Sequence, residues 1–267
     1  MSQKTIFAVA VATLAFGQLA KAQTNLQVFY DFATDRQHVT STVEGFYGDN
    51  WGNTFFFVDH DFGSRDANNK MYAPSGTYLE IARCLNFWQN VPVLGDFSFQ
   101  VEYNGGVYNG YTINNAVLLG VDYFLHSSDF KNTFNFKLLG KIIAYNGAKD
   151  LQGNLRKSAV PLQFTFVWGM QDLFGVQGLR FSGFADFWFE SHSVCPWLDN
   201  KDAGYRDWLN VKDSQFVFIS EPQIWYNVGQ HFGVPNLNVG GEVELSYDFG
   251  TLSGFRARPC LGVKWVF

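Results

Sequence analysis

The sequence predicts an all-β fold: a transmembrane antiparallel β-barrel of about twelve strands, preceded by an N-terminal signal peptide. Three observations lead there. The chain opens on a secretory leader, continues as short alternating segments separated by turn residues, and ends on an alternating strand that stops at Phe267. In that last stretch Leu261, Val263, Trp265 and Phe267 share one face, while Cys260, Gly262 and Lys264 share the other. One face suits lipid and the other suits water.

Lys4, the apolar run from Ile6 to Leu19 and the small-residue stretch Ala20-Lys21-Ala22 give the leader its charged, apolar and cleavage regions, so residues 1–22 read as a signal peptide. At roughly 14 residues the apolar run falls short of the roughly 20 that a spanning helix needs. Residues 23–267 then form one barrel domain. Period-two alternation marks candidate strands at 26–34, 38–47, 53–62, 76–88, 95–104, 113–125, 131–145, 159–170, 177–190, 214–228, 237–248 and 257–267. Most reach the roughly 9 to 11 residues that cross a bilayer at a tilt. The terminal Phe resembles the C-terminal signature of bacterial outer-membrane barrels. That resemblance implies recognition by the barrel assembly machinery and a place in the bacterial outer membrane, in contact with its lipid.

The lipid face is legible on several strands: Phe97, Phe99, Val101 and Tyr103; Val117, Leu119, Val121 and Tyr123; Leu162, Phe164, Phe166 and Trp168. The alternate positions, among them Gln100, Glu102, Asp122, Gln163 and Thr165, are more polar. Connections should be long after odd strands and tight after even ones. The stretches 63–75, 146–158 and 191–213 fit the long class, and those after the second, fourth, sixth and eighth strands read as tight. The loop from Ser191 to Asp213 suits either an inward constriction or a surface cover of packed aromatics. Pro222 and Pro259 each remove a ladder bond and belong at strand ends or irregularities.

Composition narrows the function. The chain is rich in aromatics and carries a formal net charge of −5, which becomes more negative once Lys4 and Lys21 leave; this argues against nucleic acid as a partner. Cys84, Cys195 and Cys260 show no metal spacing and allow at most one disulfide. Asp59-His60-Asp61 is the most suggestive cluster for catalysis, but alternation sends His60 to the face opposite the acids. No catalytic residue, metal or cofactor is expected, and the chain does not read as an enzyme.

Family resemblance is carried by Val43-Glu44-Gly45-Phe46, Asp49-Asn50-Trp51 and Phe55-Phe56-Phe57-Val58-Asp59. Leu79-Glu80-Ile81-Ala82-Arg83, with Ala82 where a Pro would be expected, adds to it. So do Asp172-Leu173-Phe174-Gly175 and Gly183-Phe184-Ala185-Asp186-Phe187. Together they resemble the Tsx family of nucleoside-specific outer-membrane channels. The resemblance implies a monomeric channel that passes nucleosides or similar small aromatic solutes by diffusion through weak lumenal sites.

The expected lumen wall begins on the third strand, where Phe55, Phe57, Asp59 and Asp61 share a face opposite Phe56, Val58, His60 and Phe62. Aromatic rings stack on a heterocycle for about 1–3 kcal/mol each, and carboxylates accept from sugar hydroxyls. Glu80, Arg83, Lys137, Arg180, Asp186, Trp188, Trp225 and Glu242 complete the candidate ligand-binding set. Glu102, Asp122, Lys141, Tyr145, Glu190 and Glu244 add further inward charge and polarity. Glu80 and Arg83 conflict in phase, so a bulge between them or an interfacial position for one is expected. The competing readings are a barrel anchor or adhesin whose loops carry the function, and a barrel hydrolase.

Overall fold

A computed structural model describes residues 23–65, 71–108, 111–145, 147–198 and 206–267. The leader, and residues 66–70 and 199–205 of two expected long loops, lie outside the described residues. The twelve staves are β1 (Gln23–Asp31), β2 (Val39–Asp49), β3 (Gly52–Phe62), β4 (Gly76–Leu85), β5 (Phe97–Tyr108) and β6 (Tyr111–His126). They continue with β7 (Asn132–Ala144), β8 (Leu162–Gln171), β9 (Leu179–Trp188), β10 in two pieces (Val217–Ser220 and Gln223–Tyr226), β11 (Leu237–Tyr247) and β12 (Phe255–Val266). Each pairs antiparallel with its sequence neighbours, and β1 closes on β12 from Asn25↔Val266 to Asp31↔Cys260. The result is a twelve-stranded closed barrel.

Closure is what these side chains require. In hydrocarbon an unpaired backbone group costs several kcal/mol, and a ring has no unpaired edge. The alternation then sorts the side chains. Phe97, Phe99, Val101, Val117, Leu119, Val121, Leu162 and Phe164 are exposed on the outside, as are Leu261, Val263, Trp265 and Phe267. Gln27, Gln100, Glu102, Asp122, Gln163, Glu244 and Lys264 are buried on the inside. This polar-in, apolar-out order is that of a membrane-spanning barrel.

Loop lengths follow the expected alternation after β3, β7 and β9 but depart from it twice: β5 ends at Tyr108 and β6 starts at Tyr111, so the connection after this odd strand is tight, and the one after β4 is long. Strand β4 stops at Leu85, not 88, and β5 starts at Phe97, so the connection of residues 86–96 is not tight. It is ordered instead by side chains: Asn86 Nδ2 donates to Gly95 O, and Trp88 Nε1 donates to Phe97 O at 2.9 Å.

The two prolines resolve differently. Pro222 sits at the break in β10, yet register is held across it, Ser220↔Leu245 on one side and Gln223↔Glu242 on the other. Pro259 lies within regular β12, contrary to expectation. Its carbonyl accepts from Phe32 N at 3.0 Å on the β1 side, just past the last β1 pair, Asp31↔Cys260. The donor that proline lacks would point to the same side, where the ladder has already ended, so little is lost.

All three cysteines are free and buried. Cys84 and Cys260 are strand positions and Cys195 belongs to a loop.

Candidate lumen site

Register on the inner faces of β2, β3 and β4 assembles the wall row by row. Phe46 pairs with Phe55, Glu44 with Phe57 and Thr42 with Asp59; on the other side Phe55 pairs with Ala82, Phe57 with Glu80 and Asp59 with Tyr78. Phe57 therefore stands between two carboxylates. Its ring centroid is 6.1 Å from Phe55 and 5.9 Å from Tyr78, both tilted. Tyr78 OH donates to Glu80 Oε1 at 2.6 Å, Asn25 Nδ2 to Glu44 Oε1 at 2.9 Å, and Thr42 Oγ1 to Asp59 Oδ1. Phe55, Phe57, Asp59, Tyr78, Glu44 and Glu80 are half-buried, Thr42 and Ala82 are buried, and Phe46 at the termini end is 47% exposed.

Asp61 lies higher on the same face, where it accepts from Thr40 Oγ1 at 2.6 Å and approaches His38 Nε2 at 3.5 Å. Period-two alternation does not reveal this contact, because His38 lies just ahead of β2. His60 is on the outer face, bonded to Thr77 Oγ1, so it does not work with Asp59 and Asp61.

The remaining candidates divide. Asp186 faces inward and accepts from Thr165 Oγ1, and Glu242 accepts from Gln223 Nε2 at 2.7 Å. Lys137 pairs in register with Asp122 and Thr165 on the inner face, and Arg180 is exposed near the termini end. Trp188 and Trp225 point inward as expected, but neither offers a ring to a solute. Trp188 is 6% exposed beneath Lys141 Nζ at 3.7 Å, and Trp225 is 2% exposed beneath Lys264 Nζ at 4.2 Å and against Phe29. Both are cation–π pairs of the wall itself.

Arg83 is a correction. No bulge interrupts β4 against β3 or β5, so Arg83 falls on the outer face and does not line the lumen. It sits near the end of β4, where its guanidinium donates to Asp49 Oδ1 at 2.8 Å and Thr54 Oγ1 at 3.1 Å. The interfacial alternative is the one the strand adopts, because a charge at the bilayer midplane costs about 2–4 kcal/mol.

At the long-loop end the loops fold against the inner wall. Ala116, Leu118, Leu139, Ile143 and Tyr145 make a buried inward apolar patch, and Ala148 and Ala159 of the connection after β7 pack on it. From the same connection Arg156 reaches Glu190 at 2.7 Å and lies 3.9 Å over the Tyr145 ring. Burial would raise Glu190, but Trp188, Tyr145 and Arg156 all donate to it and hold its carboxyl below the ordinary range. His192–Val194 and Lys212–Ser214 form a small hairpin, joined to the loop after β11 by His192 Nε2 on Asp248 O at 2.7 Å and Cys195 N on Thr251 O at 2.9 Å. The described part of this loop is tied to its neighbouring loops, with Val194 and Cys195 buried and Trp208 and Leu209 exposed.

Across the ring, Arg36 bonds Glu244 and Asp31, and Arg258 bonds Glu244, Ser246 and Asp35. Burial opposes the Asp35 charge, yet the Arg258 bonds prevail and keep its carboxyl low. The sequence reading passes over Arg36, Asp35 and Arg258. The inward phase of Arg258, two residues before Cys260, was a usable signal; the loop partners were not. Among the described residues, no group of three or more His, Cys, Asp or Glu side chains is placed to hold a metal ion.

A family model described as "Domain of unknown function (DUF5020)" matches residues 23–267. No curated protein matches the chain. Among solved structures, the NanC porin superposes with a TM-score of 0.53 at 8% identity, over 91% of this chain and 98% of that one. A BenF-like porin from Pseudomonas fluorescens Pf-5 gives 0.43 at 10% identity, covering 93% and 98%. The first likeness establishes a porin-like barrel fold.

Proposed function

From the premise that this chain belongs to the DUF5020 family and is an outer-membrane β-barrel of porin-like fold, we propose that it is a channel for passive diffusion of small solutes, nucleosides or similar aromatic molecules among them. The observation that carries this reading is the half-buried inner wall of Phe55, Phe57 and Tyr78, set beside carboxylates within a closed ring. A barrel serving only as an anchor has no use for aromatic rings turned to its interior and left partly uncovered.

Selectivity in this reading comes from weak contacts. A flat ring gains from stacking on Phe55 and Phe57, while Asp59, Asp61 and Glu80 accept hydrogen bonds from hydroxyls. Weak binding at successive positions permits release as well as entry. Lys137, Arg180, Asp186 and Glu242 supply polar wall around this strip, and the chain acts as a monomer without cofactor.

The test is solute flux through purified protein in liposomes, comparing nucleosides with free bases, amino acids and sugars of similar size, with Phe55→Ala and Phe57→Ala alongside. Saturable nucleoside uptake that weakens in both variants is expected. Uptake limited only by size would leave a general pore, and no uptake of any solute would remove the transport reading.

A further inference from the structure

The inner wall of β2, β3 and β4 has an electrostatic character that stacking alone does not explain. Glu44 and Glu80 flank Phe57 in register, and Asp59 occupies the next inward position of β3 beside Tyr78. Cross-strand neighbours of this kind stand about 4.5–5.5 Å apart at Cβ, so three carboxylates and three aromatic rings share one strip of wall.

Each of these carboxylates is held by a neutral donor. Asn25 serves Glu44, Thr42 serves Asp59 and Tyr78 serves Glu80. None of the three has a Lys, Arg or His nitrogen within 4.0 Å among the described residues. Where acids brace loops the pattern is the opposite: Glu244 has Arg36 and Arg258, Asp35 has Arg258, and Glu190 has Arg156; Asp122, Asp186 and Glu242 on the inner wall are held by neutral donors, as these three are. A neutral donor orients a carboxylate without cancelling its charge. The fold thus pairs cations directly with the acids that brace loops, whereas on this strip Arg180, Lys264, Arg36 and Lys141 act on the acids only from beyond ion-pair distance.

We propose that this strip is a binding site for small organic cations, solutes that carry an ammonium group beside an apolar or aromatic body. The chemistry is complementary on both counts. An ammonium is drawn to the faces of Phe55, Phe57 and Tyr78 by the ring quadrupole and donates up to three hydrogen bonds to the carboxylates. An anion of the same shape meets negative charge and negative ring faces together. Carboxylates lining a narrow passage favour cations for the same reason. The inference rests on the channel reading and adds to it the charge of the preferred solute.

Three probes of one size separate the two: 2-phenylethylamine, 2-phenylethanol and phenylacetate, with flux into proteoliposomes corrected for protein-free vesicles. The amine is expected to pass roughly tenfold faster than the carboxylate through the protein, with the alcohol between them. Replacing Glu44→Gln and Glu80→Gln together keeps both hydrogen bonds possible and is expected to bring the amine down to the rate of the alcohol. Heat-dependent gel mobility verifies that the variant barrel is folded. If the double variant does not fold, the wild-type ranking decides. Equal rates for the three probes, or faster carboxylate, would overturn the cation site while leaving the channel. An amine advantage that persists in the folded double variant would overturn its assignment to this wall. Protein-dependent flux of none of the three would overturn the channel reading and the site with it.

Discussion

Arg83 and Arg258 are both strand arginines bonded to aspartate, and their surroundings give them different worth. Arg83 is on the outer face and its partner Asp49 is half exposed, a setting in which ion pairs contribute under about 1 kcal/mol. Arg258 is 5% exposed and serves Glu244, Asp35 and Ser246 together, so its removal strands buried charge. Arg258→Ala should lower stability by about 3–5 kcal/mol, and Arg83→Ala by less than about 1 kcal/mol, in urea unfolding of the barrel in lipid vesicles. Glu190 gives a pH dependence. Its folded carboxyl lies below the ordinary value, so its contribution is complete above that value, near 4.5, and is lost as pH falls through the depressed one. The loop after β9 should therefore become sensitive to an added acid-active protease only in that acid window. Glu190→Gln should remove the pH dependence.

At the scale of the elements, β9 and β10 show how a barrel tolerates an interrupted stave. Glu221 and Pro222 split β10, but Glu221 N still donates to Phe184 O at 3.1 Å, and Pro222 O accepts from Val243 N at 3.1 Å. Opposite the break is Gly183, with φ 155°, where an added Cβ would stand 2.3 Å from Glu221 O. Backbone has no rotamer with which to yield. Gly183→Ala should cost about 1–3 kcal/mol. Gly140, whose added Cβ would meet nothing nearer than Leu119 O at 3.7 Å, should accept Ala with a change below about 1 kcal/mol. The same unfolding measurement reads both. A similar cost in the two would mean that strand propensity, and not the contact with β10, decides.

The whole molecule is a soluble protein turned inside out. Leu119 faces lipid from the middle of β6, while its neighbour Leu118 is fully buried within the barrel. Leu119→Lys should destabilise the barrel in a bilayer by about 2–4 kcal/mol, and the penalty should shrink in variants placed nearer the strand ends. A flat profile along the strand would contradict the membrane depth assigned to this face. The loops complete the asymmetry. The termini end has compact connections such as the turn around Leu173–Gly175, whereas the other end carries loops braced inward by Arg36, Arg156 and Arg258.

Strand number, closure and the sorting of faces are legible in the amino-acid order because period-two alternation is a local property. Phe97 through Tyr103 already declare which side meets lipid, and Phe55, Phe57, Asp59 and Asp61 share the inner face for the same reason. Pairing of Glu44 and Glu80 with Phe57 follows from hairpin register and was nearly within reach. Phase alone, however, does not tell a free ring from a covered one. Trp188 and Trp225 have the inward phase, yet Lys141 and Lys264 from other strands occupy their faces. Nor does it show that Arg156 would bridge 34 positions to Glu190, or Arg36 reach 208 positions to Glu244. The sequence by itself determined the barrel and its two surfaces, since alternation and turn chemistry act between neighbours. Which carboxylates gain a cation partner and which do not was decided only by the tertiary structure, because that depends on loops and strands distant in the chain that meet in the barrel.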